Sequence, residues 1–317
     1  MNKYLTIALA ALLSVSCIKC IMPPEDNSLP FLSVSGKHII NANNDTVVLH
    51  GVSFGWHNFW PRFYTEETVD WIAEDFKVNV VRAAIGVEPS RGFLEDTAFA
   101  YKCLDAVVNA AIKNNLYVII DWHSHHIQIE AAKTFFTRVA NRYSQYPNVI
   151  YEIFNEPEYD SWKDVKDYSI DMINTIRAID KKNLILVGSP HWDQDVDSVA
   201  DNPITGYGNI AYTFHFYAAT HKEWNLARVE YAINKGLPIF VSECASMEAT
   251  GDGPIDTEQW NVWLNFMNKH KISRVAWSVS DKLETCSMVK DATSPISHWT
   301  DADLKPWGQM VRKGIGE

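Results

Sequence analysis

Two glutamates carry the chemistry this chain can offer. Glu156 sits in Ile153-Phe154-Asn155-Glu156-Pro157 and Glu243 in Pro238-Ile239-Phe240-Val241-Ser242-Glu243, each just past a short apolar run of the kind that forms a buried strand. Two carboxyl groups about 5 Å apart can attack and protonate a glycosidic bond with retention of configuration, whereas a wider gap admits a water and inverts it. The pair therefore asks for a fold that sets both residues at one end of one sheet.

The rest of the chain reads as such a fold. From Val47 onward, apolar runs of strand length alternate with longer amphipathic stretches, the pattern of repeated β-α units on a parallel sheet. Strands are expected over Val47–Phe54, Asn79–Ile85, Leu116–His123, Val149–Asn155, Leu184–Ser189, Ile210–Tyr217, Pro238–Glu243 and Arg274–Ser280. Helices are expected over Glu66–Phe76, Ala98–Asn114, Ile127–Tyr146, Lys163–Asp180, Lys222–Lys235 and Thr257–His270, with a short piece near Val196–Asp201 and a last one near Lys305–Lys313. Stripes such as Tyr101, Leu104, Asp105, Val108 and Ile112 are helix faces that pack on a sheet, with no cofactor implied. Eight units closing on themselves hide every sheet edge, so the expected architecture is a single α/β domain, a (β/α)8 TIM barrel. The strand ends carrying Trp56, Arg82, His123, Glu156, His191, Tyr217, Glu243 and Trp277 would then face one mouth. Phe31–Thr46, with Asn43-Asn44-Asp45 as its turn, is expected to be an N-terminal β-hairpin plugging the opposite end.

Composition narrows the partners. A net charge of −11 lacks the cationic surface that nucleic acid demands, while a neutral polymer would not be repelled. The 12 Trp, 13 Tyr and 14 Phe exceed what a core of this size calls for and can line a carbohydrate groove. Residues 1–20, with Lys3, an apolar stretch from Tyr4 to Val15 and small residues before Cys17, read as an export signal too short to span a bilayer. Leu13-Ser14-Val15-Ser16-Cys17 is similar to a relaxed lipoprotein box, which would make Cys17 a lipid anchor; ordinary secretion is the alternative. Residues 21–30 read as a linker, and 31–317 as the catalytic barrel. With five cysteines no complete pairing exists; Cys103 falls in a helical core pattern, and Cys244 and Cys286 could meet at the active end.

A resemblance becomes specific when the motifs are taken in order. Val81-Arg82, Ile120-Asp121-Trp122-His123, Asn155-Glu156-Pro157, Gly188-Ser189-Pro190-His191-Trp192, His215-Phe216-Tyr217, Glu243 and Trp277-Ser278 together resemble glycoside hydrolase family five, over nearly the whole chain beyond the leader. The final run Trp277-Ser278-Val279-Ser280-Asp281-Lys282 is most similar to the bacterial endo-β-1,4-glucanase (cellulase) branch. The resemblance implies that Glu156 is the acid/base and Glu243 the nucleophile. Cys244 departs from the tryptophan, glycine or phenylalanine often found after that nucleophile.

In the acid role Glu156 should have a raised pKa, through burial and the neighbouring carboxylate. Glu243 must stay ionised, with Arg82 and Tyr217 as donors, and Asn155 is suited to a substrate 2-hydroxyl. His123 and His215 could orient sugar hydroxyls or tune the carboxylates. The resemblance further implies sugar-stacking platforms at Trp277 and, on the leaving-group side, Trp192. Trp56 and Trp60 could extend the cleft on the other side, where Lys282 and Glu284 fit hydroxyl contacts.

The run His123-Ser124-His125-His126 invites a metal reading, but no second cluster supplies a motif, so no metal and no organic cofactor is expected. The implied activity is hydrolysis of β-1,4-linked glucan by a monomer. The alternatives are another β-glycanase of the same mechanism, such as a mannanase, or a non-catalytic surface glycan-binding lipoprotein.

Overall fold

The structure is a computed structural model that describes residues 29–315. The export signal, Cys17 and most of the 21–30 linker lie outside the described residues. The chain opens with β1 (Ser33–Ser35) and β2 (His38–Ile40), an antiparallel hairpin. Its turn is Gly36-Lys37, where Gly36 takes a φ of 56°. Asn43-Asn44-Asp45 instead belongs to a second turn closed by an Ile40–Thr46 bridge, so the turn expected from sequence is one strand too late. Glycine at position 36 accepts the left-handed conformation without a Cβ penalty, which favours it as the corner.

Eight parallel strands follow and close on themselves: β3 (His50–Phe54), β4 (Val80–Gly86), β5 (Tyr117–His123), β6 (Val149–Glu152), β7 (Leu184–Val187), β8 (Ile210–Tyr217), β9 (Ile239–Ala245) and β10 (Arg274–Val279). Between and after them run α1 (Glu66–Trp71), α2 (Thr97–Lys113), α3 (Ile129–Tyr143), α4 (Trp162–Ile179), α5 (Pro190–Asp193), α6 (Val196–Asp201), α7 (Glu223–Asn234), α8 (Thr257–His270) and α9 (Pro306–Gly314). Beyond α1 the chain continues as a π-helical stretch, Ile72–Phe76. Helix starts are fixed locally: the side chains of Thr65, Asp96, Ser161 and Asp256 each accept from a backbone N–H in the first turn of the helix they precede. None of the described helices is long and apolar enough to cross a membrane.

Strand alternation sorts the core into two layers. Outward residues such as Val81, Ala83, Val118, Ile120 and Tyr151 pack under the helices, while Val80, Tyr117, Ile119, Ile150, Leu184, Leu186, Phe240 and Val275 fill the barrel. Leu32 and Ile39 of the hairpin join the inner group, so the hairpin closes the N-terminal end as expected. Closure is tight between β3 and β4: a Cβ on Gly51 would stand 1.8 Å from the Val80 carbonyl oxygen.

Two departures from regular geometry place the site. β6 ends at Glu152 rather than Asn155, and the chain beyond it binds the β5 exit, Asn155 N–H donating to the Trp122 carbonyl and Glu156 N–H to that of Ser124. On β9 the register with β8 slips, Thr213 facing Phe240 but His215 facing Glu243. Phe240 points into the barrel, so strict alternation would send Glu243 toward the helices; the extra residue turns it inward.

Candidate active site

The inner polar layer above the apolar plug is organised by Arg82. It lies mid-strand on β4, fully buried, rather than at the rim. Its Nε donates to Glu152 Oε2 at 2.6 Å, Nη1 to Glu243 Oε2 at 3.1 Å and to Ser53 Oγ at 3.3 Å, and Nη2 to Asn155 Oδ1 at 2.6 Å, with Asp121 Oδ2 3.0 Å away. A guanidinium presents five donors in a fixed fork, and here every arm meets an oxygen. Asp121 and Glu152, facing each other across β5 and β6, were not singled out from sequence. The available signal was a carboxylate inside an otherwise apolar strand, which burial forbids without a partner.

Above this layer Glu156 and Glu243 face each other. Their carboxylate oxygens and a His215 ring nitrogen all lie within 4.8 Å of one another. Glu243 also accepts from Tyr217 OH at 2.8 Å. Glu156 Oε1 pairs with His215 Nδ1 at 3.0 Å, and His215 Nε2 meets Ser242 Oγ at 2.9 Å with Asp193 Oδ2 at 3.4 Å. Asp193 is buried because α5 bends through positive φ at His191, Trp192 and Asp193. The same bend throws His191 outward, its side chain 57% exposed and paired with Asp195. The expectation that His191 faces the mouth is therefore corrected, and Asp193 takes the inward place; nothing in the local sequence signalled that bend.

The charges of this cluster set its titration. Burial pushes the His215 pKa down, but Asp193, Glu152, Glu156 and Glu243 surround it and carry it well above its ordinary value. Burial would raise Glu156, yet the hydrogen bond and charge of His215, with His125 and Arg82, outweigh burial and leave it lowered. Glu243 is raised, by burial first and then by the charge of Glu156, against the pull of His215, Arg82 and Tyr217. Glu156 is thus shifted down and Glu243 up, the reverse of the raised Glu156 expected from sequence. The reason is the imidazolium of His215, which sequence could not place against Glu156.

The walls are aromatic. His123, neutral because burial and Arg82 hold its pKa well down, bonds Asp121 at 2.6 Å and stacks parallel to Trp277 with ring centroids 5.3 Å apart. On that side the cleft is lined by Trp56, Trp60, Trp277, Lys282 and Glu284, the last two forming an ion pair. The other side is lined by Trp192, Gln194, His215 and His221. His125, left unassigned from sequence, stacks on Trp56 and lies 3.3 Å from Glu158, whereas His126 is exposed. Among the described residues the groups close enough to share a cation are Glu156, His215 and Glu243, not the histidine run. The described cysteines are free thiols: Cys103 and Cys286 are buried, and so is Cys244, which donates to the Val275 carbonyl.

Comparison with known proteins fits this geometry. Residues 40–283 match the model of the cellulase family, glycosyl hydrolase family 5. The chain is 40% identical over 276 residues to endoglucanase Z of Dickeya dadantii, covering 85% of this chain and 64% of that protein. It is 37% identical over 292 residues to an endoglucanase of Clostridium saccharobutylicum, covering 90% and 65%. It thus spans somewhat under two thirds of the length of these curated relatives. A solved structure from Cytophaga hutchinsonii superposes with a TM-score of 0.88 at 41% identity, covering 90% of this chain and 94% of that one. The catalytic domain of a Thermobifida fusca endoglucanase in complex with cellotetraose gives 0.85 at 28%, covering 90% and 97%. An eight-stranded barrel, two facing glutamates at its mouth and these matches agree: the chain belongs to glycosyl hydrolase family 5.

Proposed function

We propose that the protein is a retaining endo-β-1,4-glucanase that cuts internal bonds of cellulose or a related β-glucan through a covalent glycosyl-enzyme intermediate. The observation that carries this reading is the approach of Glu156 and Glu243 to within 4.8 Å, a gap suited to direct attack rather than to an interposed water. In the first step ionised Glu243 attacks the anomeric carbon while Glu156 gives its proton to the departing glycosidic oxygen. In the second, water attacks that carbon, Glu156 takes the water's proton, and Glu243 leaves as a carboxylate. The first step needs Glu243 charged and Glu156 protonated, and the second needs Glu156 as the carboxylate that receives the water's proton.

The neighbours support these roles. Arg82 and Tyr217 aim donors at Glu243 and stabilise its charge. The Asn155 Nδ2 group has no protein partner although it is buried, which suits it to a sugar 2-hydroxyl. Trp277 on one side of the cleavage point and Trp192 on the other offer ring faces to the apolar faces of glucose, and the Lys282–Glu284 pair offers polar contacts at the rim. The endoglucanase names of the relatives, and the cellotetraose held by the Thermobifida fusca enzyme, support a β-1,4-glucan as substrate.

Residues 31–317 act as the catalytic barrel, as a monomer. Residues 1–20 serve as the export signal with Cys17 as the point of lipid attachment, and 21–30 as the tether. The test of the chemistry is a product profile on defined cello-oligosaccharides with the anomer followed by NMR. A β-anomer released first is expected, and an α-anomer released first overturns retention. The mass of the mature N-terminal peptide tests the anchor.

A further inference from the structure

Exposed large apolar side chains are scattered singly over this surface, except on α7. Trp224 and Tyr231, 55% and 42% exposed, stand seven residues apart on that helix and so share one face. Seven helical residues advance about 10.5 Å, close to the length of two β-1,4-linked glucose units, after which the chain presents the same sugar face again. Between the two rings the helix presents Ala227, exposed and small, and Arg228, whose side chain lies along Trp224.

Both rings are held rather than free. Arg228, fixed by Asp195 at 2.6 Å and Asp197 at 2.9 Å, lies against Trp224 with its guanidinium carbon 5.3 Å from the ring centre. Tyr231 OH donates to Asp201 at 2.8 Å, and Lys235, paired with the same aspartate, lies against its ring. Every cation on the strip thus has an acidic partner from the α6 segment, which leaves the face suited to a neutral ligand rather than an acidic one. The strip begins three residues after His221, which lines the Trp192 side of the cleft.

We propose that the outer face of α7 is a second carbohydrate-binding site, in which Trp224 and Tyr231 stack on alternate sugars of a β-1,4-glucan chain at the surface of the solid polymer. The proposal rests on the glucanase reading of the cleft. Holding the enzyme on insoluble substrate raises the local concentration of chain ends and loops at the cleft, without altering the reaction on a short soluble chain.

The test is the Trp224→Ala/Tyr231→Ala double variant, since alanine at exposed helix positions leaves the helix competent to form. Hydrolysis of a soluble cello-oligosaccharide should stay within about twofold of the parent, while the affinity for insoluble cellulose falls roughly tenfold, each lost ring contact being worth a few-fold. The ring-preserving Trp224→Phe/Tyr231→Phe variant should keep most of that binding. Unchanged retention on cellulose in the alanine variant overturns the proposal, and so does a loss of retention that sedimentation traces to dissociation of a dimer packed through α7. A parent enzyme that leaves soluble cello-oligosaccharides intact overturns the glucanase reading instead, so the two failures are distinguishable.

Discussion

Arg82 Nη1 lies 3.1 Å from Glu243 Oε2, while the opposite edge of the same guanidinium is occupied by Glu152 and Asp121. One permanent charge thus serves three buried carboxyl groups, one of them facing Glu156. Burial pushes the Asp121 pKa up against the pull of Arg82, whereas Arg82 and His215 outweigh burial at Glu152 and leave it lowered. The Arg82 network is at once a structural and an electrostatic part of the site.

Replacing Arg82 by methionine should therefore cost both stability and activity. Leaving Glu152 and Glu243 buried without their cation is expected to destabilise the fold by about 3–5 kcal/mol. Calorimetry would record the lower Tm, and a variant as stable as the parent would refute the network.

The two glutamates should fail differently. Glu156→Ala is expected to lose about 10²- to 10⁴-fold in kcat, and Glu243→Ala on the order of 10⁴-fold or more. Added azide separates the roles: it should enter the glycosyl-enzyme of the Glu156 variant to give a β-glycosyl azide. With the Glu243 variant and an activated β-glycoside it should take the place of the missing carboxylate and give the α-glycosyl azide, with no covalent intermediate detectable by mass. Trapping a sugar on Glu156 instead would exchange the assignments.

His215→Asn should move the whole pH–activity curve upward. The working pair carries one proton, so activity falls at low pH as a second proton arrives and at high pH as the last one leaves. The His215 imidazolium lowers both Glu156 and Glu243, and removing it raises both, so both limbs shift to higher pH. Loss of the hydrogen bond to Glu156 should also cost on the order of 10- to 100-fold in kcat. A curve displaced toward acid would contradict the charge assigned to His215.

Gly51→Ala probes the barrel itself, far below the mouth. A methyl group 1.8 Å from the Val80 carbonyl forces β3 and β4 apart. We expect a loss of about 3 kcal/mol and a Tm lower by several degrees, measured by thermal unfolding.

Much of this protein is legible in its sequence because the barrel repeats one local rule. Each inner strand must be apolar on both faces and each helix on one, so the eight alternating runs and the caps at Thr65, Asp96, Ser161 and Asp256 follow from neighbouring residues alone. The order of the Asn155-Glu156-Pro157, His215 and Glu243 segments is likewise a property of the chain. Tertiary structure decided what depends on strands distant in sequence meeting. The slipped register between β8 and β9 turned Glu243 into the barrel. The bend at His191–Asp193 exchanged one residue for another beneath His215. The resulting cluster of acids raised the pKa of His215, which in turn holds Glu156 below its ordinary value. Local pattern fixes which residues are buried, but a pKa is set by every charge within a few ångströms, and only the closed barrel brings those charges together.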